Sequence, residues 1–501
     1  MPRKIPIFYS ALLLTGVNLL LRFVGTSFQV YLSGRIGAEG IGLLQLTMSV
    51  GGLAMVAGMG GIRTSTMYLT AEELGRGNAK NITRILSGCV LYSLLFSAGI
   101  GLLLYHFAPW IAEVWIGNPL TADALRLFAS FLPVVCLCGV MTGYFTAAQR
   151  IGTLAAVEVA EQICSMGLTI LLLNFWAGHD PVKSCLSVIL GSSLGAIVTL
   201  SVLLLLRLME KAADGNPIPI RNRLFNIALP LALADDLKAG INTAENLMVP
   251  KRLALNRATK NPLAAFGMVS GMVFPVIMFP AAILFGLTEL LIPEMARCNS
   301  VSHHGRIQYL TRKSLKVALI YGVTFSGLLF LLAEKLCLRL YHNVDAAQYL
   351  RWYALLVPML YCDAITDAIT KGLGQQHVCV RYNIVTSCLD VVFLYLLLPQ
   401  WGMTGYFISF FVTHLINFLL SIGLLLRTAG LKLPVHNALM SMTAMACSVL
   451  AAMWTRTAFS AVLSYLLILG CLLFLTGVLH GEDLLWIRGL ICRKSTIKQH
   501  V

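Results

Sequence analysis

Two apolar segments of this chain carry polar and charged side chains at helical spacing. In residues 6–30 the polar positions step by three and four residues and so share one helical face. They are Thr15, Asn18, Arg22, Thr26 and Gln29. The same steps recur in residues 224–249, at Asp235, Lys238, Asn242 and Glu245, with Asp236 and Asn246 at the edges. A charge at the centre of a bilayer costs about 2.5–3.5 kcal/mol, so both faces are predicted to line water or protein rather than lipid.

Each of these groups also has a purely structural interpretation. Asp235 and Lys238 lie one turn apart and can pair with each other to hold helices together. Arg22 and Glu245 have no such partner on their own segments, which favours a functional role. Further acidic positions in apolar segments are candidates for ion or proton sites, although pairing between helices is an equal alternative. They are Glu158, Glu161, Asp363, Asp367 and Asp390. Gln45 and Arg63 are polar positions of the apolar segment at 41–63, and Arg63 lies at its end, where it can reach the membrane surface.

The composition indicates a protein that is embedded in a membrane. Hydrophobic residues make up 58% of the 501 residues and charged residues 12%, about half the charged fraction of a soluble domain. Runs of roughly 20 apolar residues, each long enough to cross a bilayer core, recur fourteen times. They are predicted at 6–30, 41–63, 82–107, 121–147, 151–174, 185–207, 224–249, 262–292, 313–333, 348–373, 380–399, 403–427, 436–455 and 459–480. The fold class is therefore predicted as an all-α, multi-pass membrane protein.

The net charge of +15 does not indicate nucleic-acid binding. Most Lys and Arg residues fall in loops on one side of the predicted membrane, as the positive-inside rule describes. This places both termini in the cytoplasm. One basic loop, with Lys251, Arg252, Arg257 and Lys260, falls on the opposite side.

An internal repeat organises the chain. Residues 131–173 and 356–398 align at an offset that also places Arg126 on Arg351, Pro133 on Pro358 and Trp176 on Trp401. Membrane transporters are often built from such repeats, with the substrate held where the halves meet. The predicted organisation is an N-lobe at 1–208, a polar cytoplasmic linker at 209–223, a C-lobe at 224–430, and two extra helices with a cytoplasmic tail at 431–501.

The chain lacks the sequence signatures of several enzyme classes. It has no Gly-x-x-x-x-Gly-Lys-Ser/Thr or His-Glu-x-x-His motif, and its loops are too short for a soluble catalytic domain. The thirteen cysteines lie mostly inside predicted spans, where they are expected to pack as small apolar residues. We therefore expect a transporter with no cofactor and no metal centre, driven by a gradient of an ion such as Na⁺ or H⁺, by the membrane potential or by the substrate's own gradient.

Three motifs resemble the stage V sporulation protein B group of polysaccharide exporters, in the multidrug/oligosaccharidyl-lipid/polysaccharide (MOP) flippase superfamily. They are GRIGAEGIGLLQL at 34–46, GMGGIR at 58–63 and GMVSGMVFPVIMFP at 267–280. The resemblance extends over nearly the whole chain and implies two six-helix lobes, as in MATE and MurJ transporters. It also implies a central cavity lined by the first, second, seventh and eighth helices. Where the group often has Asp-Ser in the seventh helix, this chain has Glu245-Asn246.

The resemblance implies a flippase in the bacterial plasma membrane for an undecaprenyl-linked oligosaccharide or a peptidoglycan precursor, serving sporulation or cell-wall synthesis. Arg22 is then the first candidate for a phosphate contact, because a guanidinium matches phosphate geometry. Two alternatives stay open: a cation-coupled multidrug exporter and a polytopic enzyme of polysaccharide assembly. The predicted binding residues are Asn18, Arg22, Gln29, Gln45, Arg63, Asp235, Lys238, Asn242, Glu245 and Asn246.

Overall fold

The computed structural model describes residues 7–75, 81–178, 180–209, 221–300, 302–431, 435–455 and 457–480. In these ranges all regular secondary structure is helical, as predicted. The α-helices are α1 (Ile7–Met59), α2 (Ile62–Gly75), α3 (Ile82–Trp110), α4 (Ala122–Ala147), α5 (Ile151–Leu172), α6 (Pro181–Leu208), α7 (Arg221–Leu253), α8 (Pro262–Gly267), α9 (Phe274–Ser300), α10 (His304–Tyr341), α11 (Asp345–Ala354), α12 (Val357–Gly372), α13 (Gln376–Ala429), α14 (Val435–Ala452) and α15 (Ala458–Leu475). A 3-10 turn (Pro119–Thr121) and three π-helices (Ile111–Ile116, Leu173–Ala177 and Met268–Val273) join or extend them.

Two of these helices are each broken at a glycine. The backbone of α1 leaves helical geometry at Gly37 (φ 79°, ψ 173°), and that of α13 does so at Gly402 (φ 56°, ψ −134°). Only glycine adopts such angles without strain. Each of the two helices therefore holds two consecutive predicted spans, and all fourteen predicted spans fall on helices.

Nine helices in the described ranges are long and apolar enough to cross a membrane, or ten if one bent pair counts as a single span. That pair is α11 and α12, which meet at an angle of 52°. The predicted span over 348–373 thus falls on two helices with a bend between them, which the apolar run did not indicate. Leu356 precedes Pro358 by two residues, and a proline is tolerated in the first turn of a new helix but not inside a continuing one.

Three helical segments begin with the same local signal, an Asn or Asp followed directly by a proline. Asn118, Asp180 and Asn261 each accept a hydrogen bond from a backbone N–H in the first turn, at 3.1, 2.9 and 3.0 Å. The proline that follows has no N–H to leave unsatisfied at this position, and its φ suits a helix start. These starts set where α4, α6 and α8 enter the fold.

Glycines allow the second half of α1 to approach α8 closely. A Cβ atom on Gly42 would collide with the carbonyl oxygen of Leu263, and one on Gly267 would collide with that of Ala38. Small residues permit this backbone-to-backbone packing in membrane proteins, where dispersion forces replace the hydrophobic effect as the driving force. A helix from the first half of the sequence is thereby fixed against one from the second half.

The basic end of α7 is held by backbone carbonyl groups. Lys251 Nζ donates a hydrogen bond to the carbonyl of Val114. The Arg252 guanidinium donates to the Tyr395 carbonyl through Nη2 at 2.7 Å and lies over the Tyr395 ring, 3.6 Å from its centroid. These contacts give part of the anomalous basic loop a structural role, and a cation at a helix C-terminus also suits the helix dipole.

The helices group into two compact units. The first comprises Met1–Leu290, Leu340–His342 and Val380–Asn417. It thus joins the helices of the first repeat to α7, α8, most of α9 and the central part of α13. One of its cores is built from α1, α4 and α6 with the π-helix after α5, where Leu32, Ile41, Leu173 and Ile189 are fully buried.

The second unit comprises Leu291–Arg339, Asn343–Cys379 and Phe418–Val501. Its core holds Tyr465 of α15, which is fully buried and donates a 2.7 Å hydrogen bond to the Val323 carbonyl. The predicted lobe boundaries derive from the sequence repeat, a different criterion, and stay a prediction. Most of the predicted linker at 209–223 lies outside the described residues.

Candidate functional site

Arg22 and Gln29 lie on the first half of α1 and both make contact with the second half of the chain. The Arg22 side chain is exposed, and its Cζ atom lies 4.4 Å from the centroid of the Phe285 ring on α9. Gln29 Nε2 lies 3.5 Å from the Gly271 carbonyl, which also accepts a 3.1 Å hydrogen bond from Ser33. The polar face of α1 therefore runs along α9 and the π-helix before it. The side chain of Asn18 lies outside the described residues.

The polar face of α7 lies on one continuous helix, as its spacing predicts. Asp235, Lys238 and Asn242 are exposed, and Glu245, the next residue of the series, is half-buried. Exposed groups of both signs on one face suit a polar solute with several hydroxyl groups and negative charge. Such a face is costly against lipid.

Asn246, at the edge of this face, binds α1 instead of facing outward. Its Nδ2 atom donates a 2.9 Å hydrogen bond to Ser49 Oγ, and Thr243 donates to the Ser49 carbonyl at 3.1 Å. Ser49 Oγ in turn donates to the Gln45 carbonyl at 2.8 Å. Asn246 and the backbone of Gln45 thus belong to one hydrogen-bonded chain that joins α7 to the second half of α1. The Gln45 side chain is half-buried.

Glu245 lies within electrostatic range of a second carboxyl group, that of Asp390 on α13. Asp390 Oδ1 accepts hydrogen bonds from Ser409 Oγ at 2.5 Å and from Thr413 Oγ1 at 3.1 Å. Glu245 Oε1 is enclosed and makes no hydrogen bond within the described ranges. Tyr406, which is 8% exposed, lies within electrostatic range of both carboxylates.

This arrangement, which we call the carboxylate pair, is Glu245 and Asp390 with the hydroxyl groups of Ser409 and Thr413. Two carboxyl groups in a poorly solvated site repel each other when both are ionised, because their repulsion is screened little there, so uptake of a proton or a cation is favoured. Oxygen ligands suit a hard cation, and a proton shared by the two groups serves equally well. The sequence showed each acid as a polar position, but not their proximity.

Arg63 lies away from this pair, at the start of α2, and its side chain is exposed. It is within electrostatic range of Glu158 on α5. One turn further along α5, Gln162 donates a 3.1 Å hydrogen bond to the carbonyl of Leu21, next to Arg22. A glutamine in an apolar segment is the sequence signal that marks this contact.

Two of the remaining predicted intramembrane acids, Glu161 and Asp367, have ordinary structural partners. Glu161 accepts a 2.8 Å hydrogen bond from Thr199 on α6. Asp367 forms a 2.6 Å ion pair with Lys371, one turn along α12. Pairing of this kind is what the structural interpretation expects.

Comparison with known proteins gives consistent results. A family model described as MatE matches residues 15–176 and 252–396. Stage V sporulation protein B of Bacillus subtilis (strain 168) is 20% identical over 406 residues, which are 79% of this chain and 78% of that protein. Sporulation protein YkvU of the same organism is 24% identical over 276 residues, which are 53% of this chain and 61% of that protein.

Two transporters are among the solved structures that share the fold. One is a multidrug-resistance MATE transporter of the MOP superfamily in an inward-facing conformation, with a TM-score of 0.65, 14% identity, and 86% of this chain and 99% of that chain covered. The other is the lipid II flippase MurJ in an inward closed conformation, with a TM-score of 0.68, 13% identity, and 96% and 100% covered. These likenesses confirm an all-α, multi-pass membrane fold.

Proposed function

We propose that this chain, which belongs to the MatE family and is a membrane transporter of the MOP superfamily, is an ion-coupled flippase for lipid-linked sugars. Its substrate is an undecaprenyl-linked oligosaccharide or a peptidoglycan precursor, and it works in the bacterial plasma membrane. The observation that carries this proposal is Arg22, a guanidinium on an apolar helix that is exposed and supported by an aromatic ring.

The chemistry of the substrate explains why a cation is needed there. A sugar pyrophosphate is large, polar and anionic, whereas its polyprenyl tail can stay in lipid. A guanidinium can form two parallel hydrogen bonds to a phosphate, and such charge-assisted bonds are about twice as strong as neutral ones. Lys238 adds a second cation, and the exposed Asp235 and Asn242 can bind sugar hydroxyls. A transporter for cationic drugs would favour acidic and aromatic groups over an arginine at this place.

The carboxylate pair supports coupling to a cation. Glu245 lies on the helix that carries the proposed sugar-binding face, one turn beyond Asn242. Binding of Na⁺ or H⁺ between Glu245 and Asp390 would remove the repulsion between α7 and α13, and release would restore it. The preferred position of α7 would then depend on whether the ion is bound. Such a dependence is the requirement for coupling transport to an ion gradient.

The proposed transport cycle is alternating access, with the site exposed to each side of the membrane in turn. Both termini are proposed to lie in the cytoplasm, as the distribution of basic loops indicates. The polyprenyl tail then stays in the bilayer while the sugar pyrophosphate crosses along the two polar faces.

Precursor analysis in a depletion strain tests the function. On loss of this protein, a lipid-linked sugar should accumulate in the inner leaflet, and mass spectrometry of extracted lipids would identify it. Re-expression should clear it, and resistance to cationic dyes should stay unchanged. Dye sensitivity with normal precursor levels would instead favour the multidrug exporter and refute the flippase.

A further inference from the structure

A pocket of about 410 Å³ lies in the first compact unit, away from the residues assigned above. Its lining comes from α3, α4, the π-helix after α5, and α6. Polar and aromatic groups stand together with leucines: Tyr105, Asp123, Arg126, Leu127, Ser130, Trp176, Leu186 and Leu190. Nothing in the proposed transport path uses these side chains.

Arg126 lines the pocket, and its hydrogen-bonding groups are incompletely satisfied by the described residues. Its Nε atom is enclosed but makes no hydrogen bond with the described part of the chain. Its ion pair with Asp123 is long, at 3.7 Å, and the Asp123 side chain is 74% exposed. The guanidinium also lies 5.6 Å from the centroid of the Tyr105 ring. The Arg126 side chain is 41% exposed, so its terminal N–H groups, rather than the enclosed Nε, are available to an external acceptor.

The repeat supplies an internal comparison. Arg351 is the counterpart of Arg126 in the second half of the sequence, and it belongs to the second compact unit. There Nη2 forms a 3.2 Å hydrogen-bonded ion pair with Glu334 of α10. Position 105, in the first half, carries a tyrosine where position 330 carries a phenylalanine. Arg351 thus has a carboxylate partner from another helix, whereas the acid paired with Arg126 among the described residues is the loosely placed Asp123 on its own helix.

The pocket spans the depth of a lipid headgroup and the start of its acyl chains. Arg126 lies one turn inside the start of α4, about 6 Å along the axis, and Leu190 lies about 14 Å inside the start of α6. Tyr105 and Trp176 are each 50% exposed, and such aromatic residues typically sit at the membrane interface. The leucines therefore extend from the depth of Arg126, where Leu127 and Leu186 lie about 8 Å inside their helices, to the greater depth of Leu190.

We infer that this pocket binds a zwitterionic aminophospholipid, of the phosphatidylethanolamine type. The phosphate would bind the Arg126 guanidinium, the primary ammonium would bind Asp123, and an acyl chain would pack on Leu186 and Leu190. The lipid's charges cancel, as do those of Asp123 and Arg126. An anionic lipid such as phosphatidylglycerol would place its charge near Asp123 with no ammonium in return. The inference does not depend on the proposed substrate.

Native mass spectrometry of the purified, delipidated full-length chain tests the inference. With matched acyl chains, phosphatidylethanolamine should bind about tenfold more tightly than phosphatidylglycerol, since one hydrogen-bonded charge pair is worth about that factor. Soluble glycerophosphoethanolamine should fail to compete, because it lacks the acyl chains. Equal binding of both lipids, or full competition by the soluble ester, would overturn the assignment.

Single substitutions test how much each part of the pocket contributes to lipid binding. Arg126→Gln should weaken phosphatidylethanolamine binding about tenfold, and Asp123→Asn should abolish the preference over phosphatidylglycerol. Leu190→Trp, which fills the apolar end without touching the charges, should also weaken binding. Arg351→Gln is the matched control and should bind lipid like the wild type. Unchanged binding by Arg126→Gln, or an equal loss in Arg351→Gln, would refute the site.

Discussion

The guanidinium of Arg22 lies over the ring of Phe285, with Cζ 4.4 Å from the ring centroid. The two residues come from different halves of the sequence, and both belong to the first compact unit. A cation over an aromatic ring is stabilised by the ring's quadrupole while its N–H groups stay available at the edges. Phe285 thus holds Arg22 in place without consuming its hydrogen bonds.

Phe285→Leu is expected to lower transport several-fold and leave membrane abundance unchanged. The substitution keeps an apolar side chain but removes a contact worth about 0.5–1 kcal/mol at an exposed site. Precursor accumulation in cells that depend on the variant measures the effect. Phe279→Leu is a suitable control, because Phe279 lies on the same helix and packs against Phe23, at 5.6 Å between ring centroids, rather than against an arginine. A larger loss in the control would contradict this role for Phe285.

Glu245→Gln and Asp390→Asn are expected to abolish the dependence of transport on the coupling ion. Either change removes one of the two charges that a cation would neutralise. Transport should be measured in vesicles with imposed Na⁺ and H⁺ gradients applied separately, so that the responsive ion is identified. Glu161→Gln serves as the control, since that carboxylate is already bonded to Thr199. Normal gradient dependence in both variants of the pair would exclude it as the coupling site.

Gly42→Ala and Gly52→Ala are expected to change stability in opposite directions, although both lie on α1. A Cβ on Gly42 collides with the Leu263 carbonyl, so this variant should lose about 1–3 kcal/mol through overpacking. A Cβ on Gly52 meets nothing within 4 Å, so that variant should gain about 0.5–1 kcal/mol from helix propensity. Thermal unfolding in detergent distinguishes the two. Equal shifts would argue against the close packing of α1 on α8.

The proposed topology predicts where reporter fusions will be active. Fusions at Gly215 and at Lys494, both outside the described residues, should report the cytoplasm, and a fusion at Asp180 should report the opposite side. The expectation follows from fourteen spans with basic loops inside. A reporter signal from the outside at Gly215 would contradict the proposed membrane topology.

The helices were predictable because hydropathy and length are local properties of the chain. The break between α11 and α12 was missed, since the apolar run continues through Leu355 and Leu356 while the backbone turns. The polar faces of α1 and α7 were also visible as spacing. The partners of their residues were not: Phe285 is one apolar residue among many, and the proximity of Asp390 to Glu245 depends on how distant helices pack. The partner of Asn246 was not predictable either: its hydrogen bond to Ser49 gives it a packing role.

Transbilayer movement of a polyprenyl-pyrophosphate-linked sugar in proteoliposomes tests the central claim most directly. Purified wild-type protein should move the labelled lipid between leaflets under the gradient that the vesicle experiments identify. Arg22→Ala, reconstituted in equal amount, should be about 10–100-fold slower, as expected for loss of a charge-assisted hydrogen bond worth about 1.5–3 kcal/mol. Arg22→Lys should be intermediate, because the charge persists while the two-pronged geometry is lost. Wild-type rates for Arg22→Ala, or no movement of the lipid by the wild-type protein, would contradict the account.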